Sequence, residues 1–212
     1  MVDLGSGEAW RRLLYIPAVS ASQGFVPIIW GEAVYTNGTT GLPIGTVNFG
    51  ADGITISPDG KTLWFSTTGG RELYSVPTER LLDRSPYAEL LAESAVRFHG
   101  QKGLSDGLET DSNGLVYAGS IEDNSIVTFD PKIGIVSQYS RDSRYSWTDT
   151  MSVGKDGYLY FTENQLWLGA AYHNGTDRRV KPYVLFRTPL VGNGTKIVQE
   201  APSGNGNYSI KT

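Results

Sequence analysis

Short runs in which apolar and polar residues alternate recur along the chain, each broken by Gly, Asp, Asn or Pro. Thr62-Leu63-Trp64-Phe65-Ser66, Glu72-Leu73-Tyr74-Ser75-Val76 and Tyr158-Leu159-Tyr160-Phe161-Thr162 are examples. A period of two bounded by turn-forming residues predicts half-buried β-strands. One stretch departs from it. Between Pro77 and Ala95, Leu81, Leu82, Leu90 and Leu91 stand among charged residues, which predicts a short helix or turn inserted late in its repeat. The expected fold class is therefore all-β.

Three of these segments align with one another. Ala51-Asp52-Gly53 leads to Ser57-Pro58-Asp59-Gly60 and a strand, and Ser105-Asp106-Gly107 leads to Asp111-Ser112-Asn113-Gly114 and a strand. Thr148-Asp149-Thr150 leads in the same way to Gly154-Lys155-Asp156-Gly157. In each copy an Asp stands seven residues before an Asp or Asn that Gly follows. The second half of each copy predicts a hairpin closed by a tight primed turn, because Asp-Gly and Asn-Gly supply positive φ angles. Further strands follow at Ser125–Phe129, Ile135–Tyr139 and Tyr183–Arg187, giving three or four strands per copy. The first Asp recurs after 54 and then 43 residues, close to the ~40 to 50 of a propeller blade.

A single sheet of this kind cannot bury both faces, and packing sheets radially about an axis does so. An immunoglobulin-like sandwich is the competing architecture, but its strands carry no motif at this period. The expectation is a β-propeller of three to four blades in an incomplete ring. Residues 50–102, 103–145 and 146–191 are blades, residues 1–49 are the remnant of a preceding blade with connecting loops, and residues 192–212 are a flexible Gly- and Asn-rich tail. Residues 1–14 are read as a strand pair of that remnant. Propellers close with four or more blades, so the chain is expected to be a fragment or to pair with a second copy through its exposed blade edges.

Composition narrows the function classes. The chain has 212 residues and a formal net charge of −4 with no basic run, which sets nucleic acid aside. It has no cysteine, so thiol nucleophiles, disulfides and thiolate zinc sites are excluded. No apolar stretch approaches the ~20 residues of a membrane span, and the first ten residues lack the apolar core of a signal peptide. Neither His99 nor His173 sits in a metal-ligand spacing, and there is no nucleophile elbow, phosphate loop or dinucleotide fingerprint. Four N-glycosylation sequons begin at Asn37, Asn174, Asn193 and Asn207. If they are used, the intact parent protein is extracellular and its leader lies outside this chain.

In a propeller the innermost strands line the channel, which would bring Asp52, Asp106 and Asp149 together near one opening. Convergent carboxylates can hold a hard cation, accept an ammonium ligand or exchange protons. The alternative is that each Asp caps its own strand by accepting backbone N–H groups. Glu109 and Glu163 are further candidate acids, although a strand Glu is usually solvated.

The ordered set Gly50-Ala51-Asp52-Gly53, Ser57-Pro58-Asp59-Gly60, Leu73-Tyr74-Ser75-Val76-Pro77, Gly103-Leu104-Ser105-Asp106-Gly107-Leu108, Trp147-Thr148-Asp149-Thr150 and Asn164-Gln165-Leu166 resembles the yellow / major royal jelly protein family. Val2-Asp3-Leu4, Glu8-Ala9-Trp10-Arg11-Arg12-Leu13 and Phe25-Val26-Pro27 also fit, so the resemblance covers most of residues 1–190. It implies a secreted six-bladed propeller of about twice this length with a small-molecule pocket at one end of its channel. It also implies that Asn164 contacts the ligand, and Thr150, Phe161 and Phe25 are lesser candidates for the wall; aromatic faces suit a protonated amine, the alternative for each aromatic being ordinary packing between blades. The family includes amine binders and proteins linked to dopachrome conversion, so the implied function is binding of a small aromatic or amine ligand without a cofactor. A dopachrome-type isomerase and a Ca²⁺-dependent lactonase of the gluconolactonase-like class are the alternatives. The chain departs from the family in lacking the N-terminal blades, the leader and the cysteines.

Overall fold

A computed structural model of the chain describes residues 1–37 and 43–197. Asn207 and the rest of its sequon lie outside them. Two-residue strands β1 (Ile28–Ile29) and β2 (Glu32–Ala33) form a small hairpin. The first large sheet comprises β3 (Ala51–Ile56), β4 (Thr62–Thr67), β5 (Glu72–Pro77) and β6 (Arg97–Gln101). The second comprises β7 (Leu108–Thr110), β8 (Val116–Ser120), β9 (Ser125–Asp130) and β10 (Ile135–Arg141). The third comprises β11 (Thr148–Val153), β12 (Tyr158–Glu163) and β13 (Val184–Pro189). Each is an antiparallel meander whose strand order follows the sequence.

The first strands of the three sheets lie side by side, β3 against β7 and β7 against β11. Three meanders radiating from a shared row of inner strands make a β-propeller whose ring is not closed within this chain. Apolar faces meet between successive sheets. Trp64 and Leu73 of the first pack on Leu108, Val116, Val127 and Phe129 of the second. Tyr117 and Ile126 of the second pack on Met151, Leu159 and Phe161 of the third. The side of the first sheet away from the second is covered by Leu13 and Ala18, which pack on Phe65 and Val76.

The inserted stretch after β5 is two short helices, α1 (Thr78–Leu82) and α2 (Ala88–Ser94), which bury Leu81, Ala88 and Ala92. The hairpin turns differ from the primed turns expected. Gly60, Gly114 and Gly157 have φ of +70°, +85° and +81°, but the preceding Asp59, Asn113 and Asp156 are not left-handed. In the first, Gly60 N donates to Ser57 O at 2.9 Å while Asp59 accepts from the Ser57 hydroxyl and Lys61 N. The loop is thus longer than two residues, and the acidic side chain braces it instead of adopting positive φ.

At the N-terminus a minimal antiparallel pairing joins residues 1–3 to 8–10: Val2 bridges to Ala9, Asp3 N donates to Glu8 O at 2.8 Å and Trp10 N to Met1 O at 3.1 Å; Leu13 and Tyr15 take φ of +61° and +63°, which ends any extended run. The part of 192–212 that is described is not a free tail. Lys196 bridges to Asp111, Ser112 N donates to Thr195 O at 2.9 Å, and Thr195 N donates to the Ser112 hydroxyl at 3.0 Å. These bonds lay residues 194–196 along the turn between β7 and β8.

Candidate functional site

The inner strands meet so closely that side chains are excluded between them. Gly107 N donates to Asp149 O at 2.8 Å, and a Cβ on Gly107 would lie 2.5 Å from that oxygen. Gly53 is pressed in the same way against the carbonyl of Asp106. The pairing of β3 with β4 shifts register between Ala51 and Ile54, and that of β11 with β12 shifts between Thr148 and Met151. Asp52 and Asp149 therefore sit in irregularities of their strands, which re-aim side chains out of the ladder. Asp106 precedes β7 and is likewise outside it.

The result is a row of carboxylates. Asp106 is buried, Asp149 half-buried and Asp52 exposed. Asp106 lies in the field of both Asp52 and Asp149. Burial pushes the Asp106 carboxyl up to about 7; the Trp147 indole opposes this, and the two neighbouring aspartates reinforce it. Trp147 Nε1 donates to Asp106 Oδ2 at 2.8 Å, and Asn164 Nδ2 donates to Asp149 Oδ2 at 2.9 Å. Thr68 Oγ1 donates to Asp52 Oδ2 at 3.3 Å. These partners are side chains, and among the described residues no backbone N–H caps the three acids. Asn164 is itself fixed, its Oδ1 accepting Leu166 N at 2.8 Å and its own N–H donating to Trp147 O.

Thr150 stands where the other two copies have Gly53 and Gly107. It is exposed, with its hydroxyl 3.4 Å from Asp149 Oδ1. The free side of β11 therefore presents Thr150, Asp149 and Asn164 together.

Phe161 and Phe25 are placed elsewhere than a channel wall. Phe161 is buried between the second and third sheets, 5.0 Å from Tyr145 and stacked 5.7 Å from Phe186. Phe25 belongs to an apolar layer with Ile29, Leu104, Trp147, Trp167 and Tyr172, under the Arg71 guanidinium at 4.8 Å. Strand alternation sends Phe161 to the same side as Leu159, away from Thr162 and Tyr160. Trp147 is the aromatic that reaches the acidic row, and no local signal marked it. Its φ of +91° is a left-handed conformation that a bulky residue rarely adopts.

Glu163 was a candidate acid and is not solvated. It is buried at the end of β12, accepting Ser146 N at 2.7 Å and the Thr148 hydroxyl at 2.5 Å. Burial pushes it up to about 7, and the Asp149 charge adds to the effect. Lys102 is a buried cation that sequence reasoning missed. Its Nζ donates to Gly103 O at 3.1 Å and the Ser105 hydroxyl at 2.5 Å, and burial lowers its pKa to about 7. Among the described residues no cluster of three or more His, Asp and Glu side chains is arranged to hold a metal ion.

A family model described as major royal jelly protein matches residues 33–197. The chain belongs to this family. The match contains all three aspartates, Trp147 and Asn164. No curated protein matches the sequence. Among solved structures, a luciferin-regenerating enzyme is 17% identical, with 73% of this chain and 49% of that one covered at a TM-score of 0.49. A gluconolactonase from Xanthomonas campestris is 15% identical, with 87% and 59% covered at a TM-score of 0.49. A calcium-binding regucalcin from Agrobacterium tumefaciens is 17% identical, with 81% and 52% covered at a TM-score of 0.43. The chain thus spans about half the length of the solved proteins that it resembles.

Of the sequons in this major royal jelly family chain, Asn174 and Asn193 are exposed in left-handed turns, with φ of +50° and +57°. Asn37 is half-buried, and its Oδ1 accepts Asn174 N at 3.3 Å.

Proposed function

We propose that this major royal jelly family protein binds a small aromatic amine at the mouth formed by Asp52, Asp106, Asp149 and Asn164. The observation that carries the reading is the field around Asp106. Two aspartates from neighbouring sheets act on it, and no Lys or Arg forms an ion pair with any of the three among the described residues. A site of one sign lined by low-dielectric walls concentrates the opposite charge. An ammonium group neutralises that row, while the Asn164 amide and Thr150 hydroxyl supply polar contacts that orient the ligand. The exposed sequons at Asn174 and Asn193 fit an extracellular, glycosylated parent protein.

A second reading is proton transfer of the dopachrome-isomerase type. It is favoured by the carboxyl group of Asp106, held about 7, where acid and base forms coexist at neutral pH. Calorimetry against serotonin and dopamine, together with the rate of dopachrome colour loss, separates the two. The binder reading expects saturable heats that fall at least about tenfold in affinity for Asn164→Ala, as loss of a hydrogen bond to a charged ligand environment requires. Absence of amine binding, or unchanged binding in both Asn164→Ala and Asp149→Asn, removes its support. The isomerase reading expects colour loss that Asp106→Asn abolishes.

A further inference from the structure

β2 and the segment after it meet the turns that follow β12 around a half-open cavity of about 210 Å³. Tyr35, Asn37, Tyr172, His173, Arg178 and Glu32 line it, with Trp167 beneath. The two segments are joined by Asn37 N to Ala171 O at 2.9 Å and Asn174 N to Asn37 Oδ1 at 3.3 Å. The second bond engages the Asn37 carbonyl, and among the described residues its amide Nδ2 has no acceptor. Among the described residues His173 Nε2 is buried without a hydrogen-bond partner, an arrangement that folded proteins seldom leave unmatched. Arg178 forms no ion pair among the described residues.

The lining is therefore rich in donors: an imidazole, a guanidinium, an amide and two phenols, against the single carboxylate of Glu32. Burial keeps the Tyr172 phenol protonated, and the nearby Asp106 charge acts in the same direction. A guanidinium forks onto a carboxylate through parallel N–H groups, and the aromatic rings of Trp167 and Tyr172 suit a flat apolar remainder. We propose that this cavity is a second ligand site, for a small carboxylate, with Arg178 and His173 binding the anionic group. It has the opposite charge preference to the acidic row and does not depend on an amine binding there.

The chain has two histidines, and His99 lies on β6 of the first sheet, paired to the Ser75 hydroxyl at 2.8 Å. It serves as an internal reference. Imidazole resonances are followed by NMR while sodium benzoate is added against matched sodium chloride. The expected result is a saturable shift at His173 with His99 unmoved. Arg178→Ala, a change at an exposed position, is expected to weaken the response about tenfold, the scale of a lost hydrogen bond to a charged group. An unmoved His99 verifies that the variant is folded. No saturable shift at His173, a shift unchanged in Arg178→Ala, or an equal response to benzylamine overturns the proposal.

Discussion

The Trp147 indole, at the start of the third sheet, donates its hydrogen to the buried carboxylate of Asp106 at the start of the second, at 2.8 Å. Through this bond one sheet orients the acidic group of its neighbour. The bond lowers the Asp106 pKa against the larger effect of burial. Trp147→Phe removes the donor while keeping an apolar ring. The Asp106 carboxyl is then expected to titrate higher than in the parent, measured by NMR of the labelled carboxyl carbon. An unchanged or lower value would show that the indole does not set its charge. Stability is expected to fall by about 1 to 3 kcal/mol, the cost of stranding a buried acceptor.

Gly53 and Gly107 mark the places where inner strands touch. A Cβ on either would meet a carbonyl of the neighbouring strand, at 2.5 Å for Gly107, and backbone on both sides leaves nothing flexible to yield. Gly53→Ala and Gly107→Ala are each expected to cost about 2 to 3 kcal/mol, lowering the melting temperature by about 5 to 10 °C for a chain of this size. Thr150→Gly, at the matching position with no further inner strand against it among the described residues, is expected to change stability by less than about 1 kcal/mol. Equal losses at all three positions would contradict close approach as the cause.

Three buried groups with shifted pKa values predict a stability that depends on pH. Asp106 and Glu163 are raised to about 7 from 3.8 and 4.5, and Lys102 is lowered to about 7 from 10.5, each chiefly by burial. For the two acids the folded state holds its protons more tightly than the unfolded chain. Their contribution is greatest at low pH and is lost as pH rises from about 4 through 7. For the lysine the folded state binds its proton less tightly, so its contribution is present above about 10 and is lost as pH falls through 7. Unfolding in urea from pH 5 to 10 is expected to show a stability minimum near neutrality. Asp106→Asn should flatten the acidic limb and Lys102→Met the alkaline one. A monotonic profile in the parent would contradict this account.

The repeat made the sheets legible because turn chemistry is local. Asp59-Gly60, Asn113-Gly114 and Asp156-Gly157 each announce a hairpin wherever the chain places them, and the matching spacing back to Asp52, Asp106 and Asp149 marks one inner strand per sheet. Depth was not legible. Glu163 read as a candidate acid expected to be solvated and Lys102 as an ordinary charged residue, because alternation gives the face of a strand and says nothing of what lies over its ends. Trp147 at positive φ has no sequence signature, since its conformation is imposed by neighbouring sheets. Phe161 is a different case: its parity with Leu159 and its opposition to Tyr160 already assigned it to the inter-sheet side, and the family resemblance had drawn it toward the channel.

The last contact to test is the one that holds residues 194–196 in place. Asp111 is fully buried and accepts Asn113 N at 2.9 Å, Leu115 N at 3.1 Å and the Tyr117 hydroxyl at 3.0 Å. Gly194 packs directly on its carboxylate, and its backbone bridges to Lys196. Asp111→Ala leaves buried donors unpaired and opens space beneath Gly194. Asp111→Asn keeps the shape and one acceptor but loses the charge that draws all three donors. The alanine variant is expected to be destabilised by about 2 to 4 kcal/mol and the asparagine variant by about half that. Amide hydrogen exchange offers the sharper readout. Ser112 N, which donates to Thr195 O, should exchange faster in Asp111→Ala than amides of β12, which pair within the third sheet. If Ser112 and β12 accelerate together, the loss is global, and Asp111 is not the specific anchor of the segment.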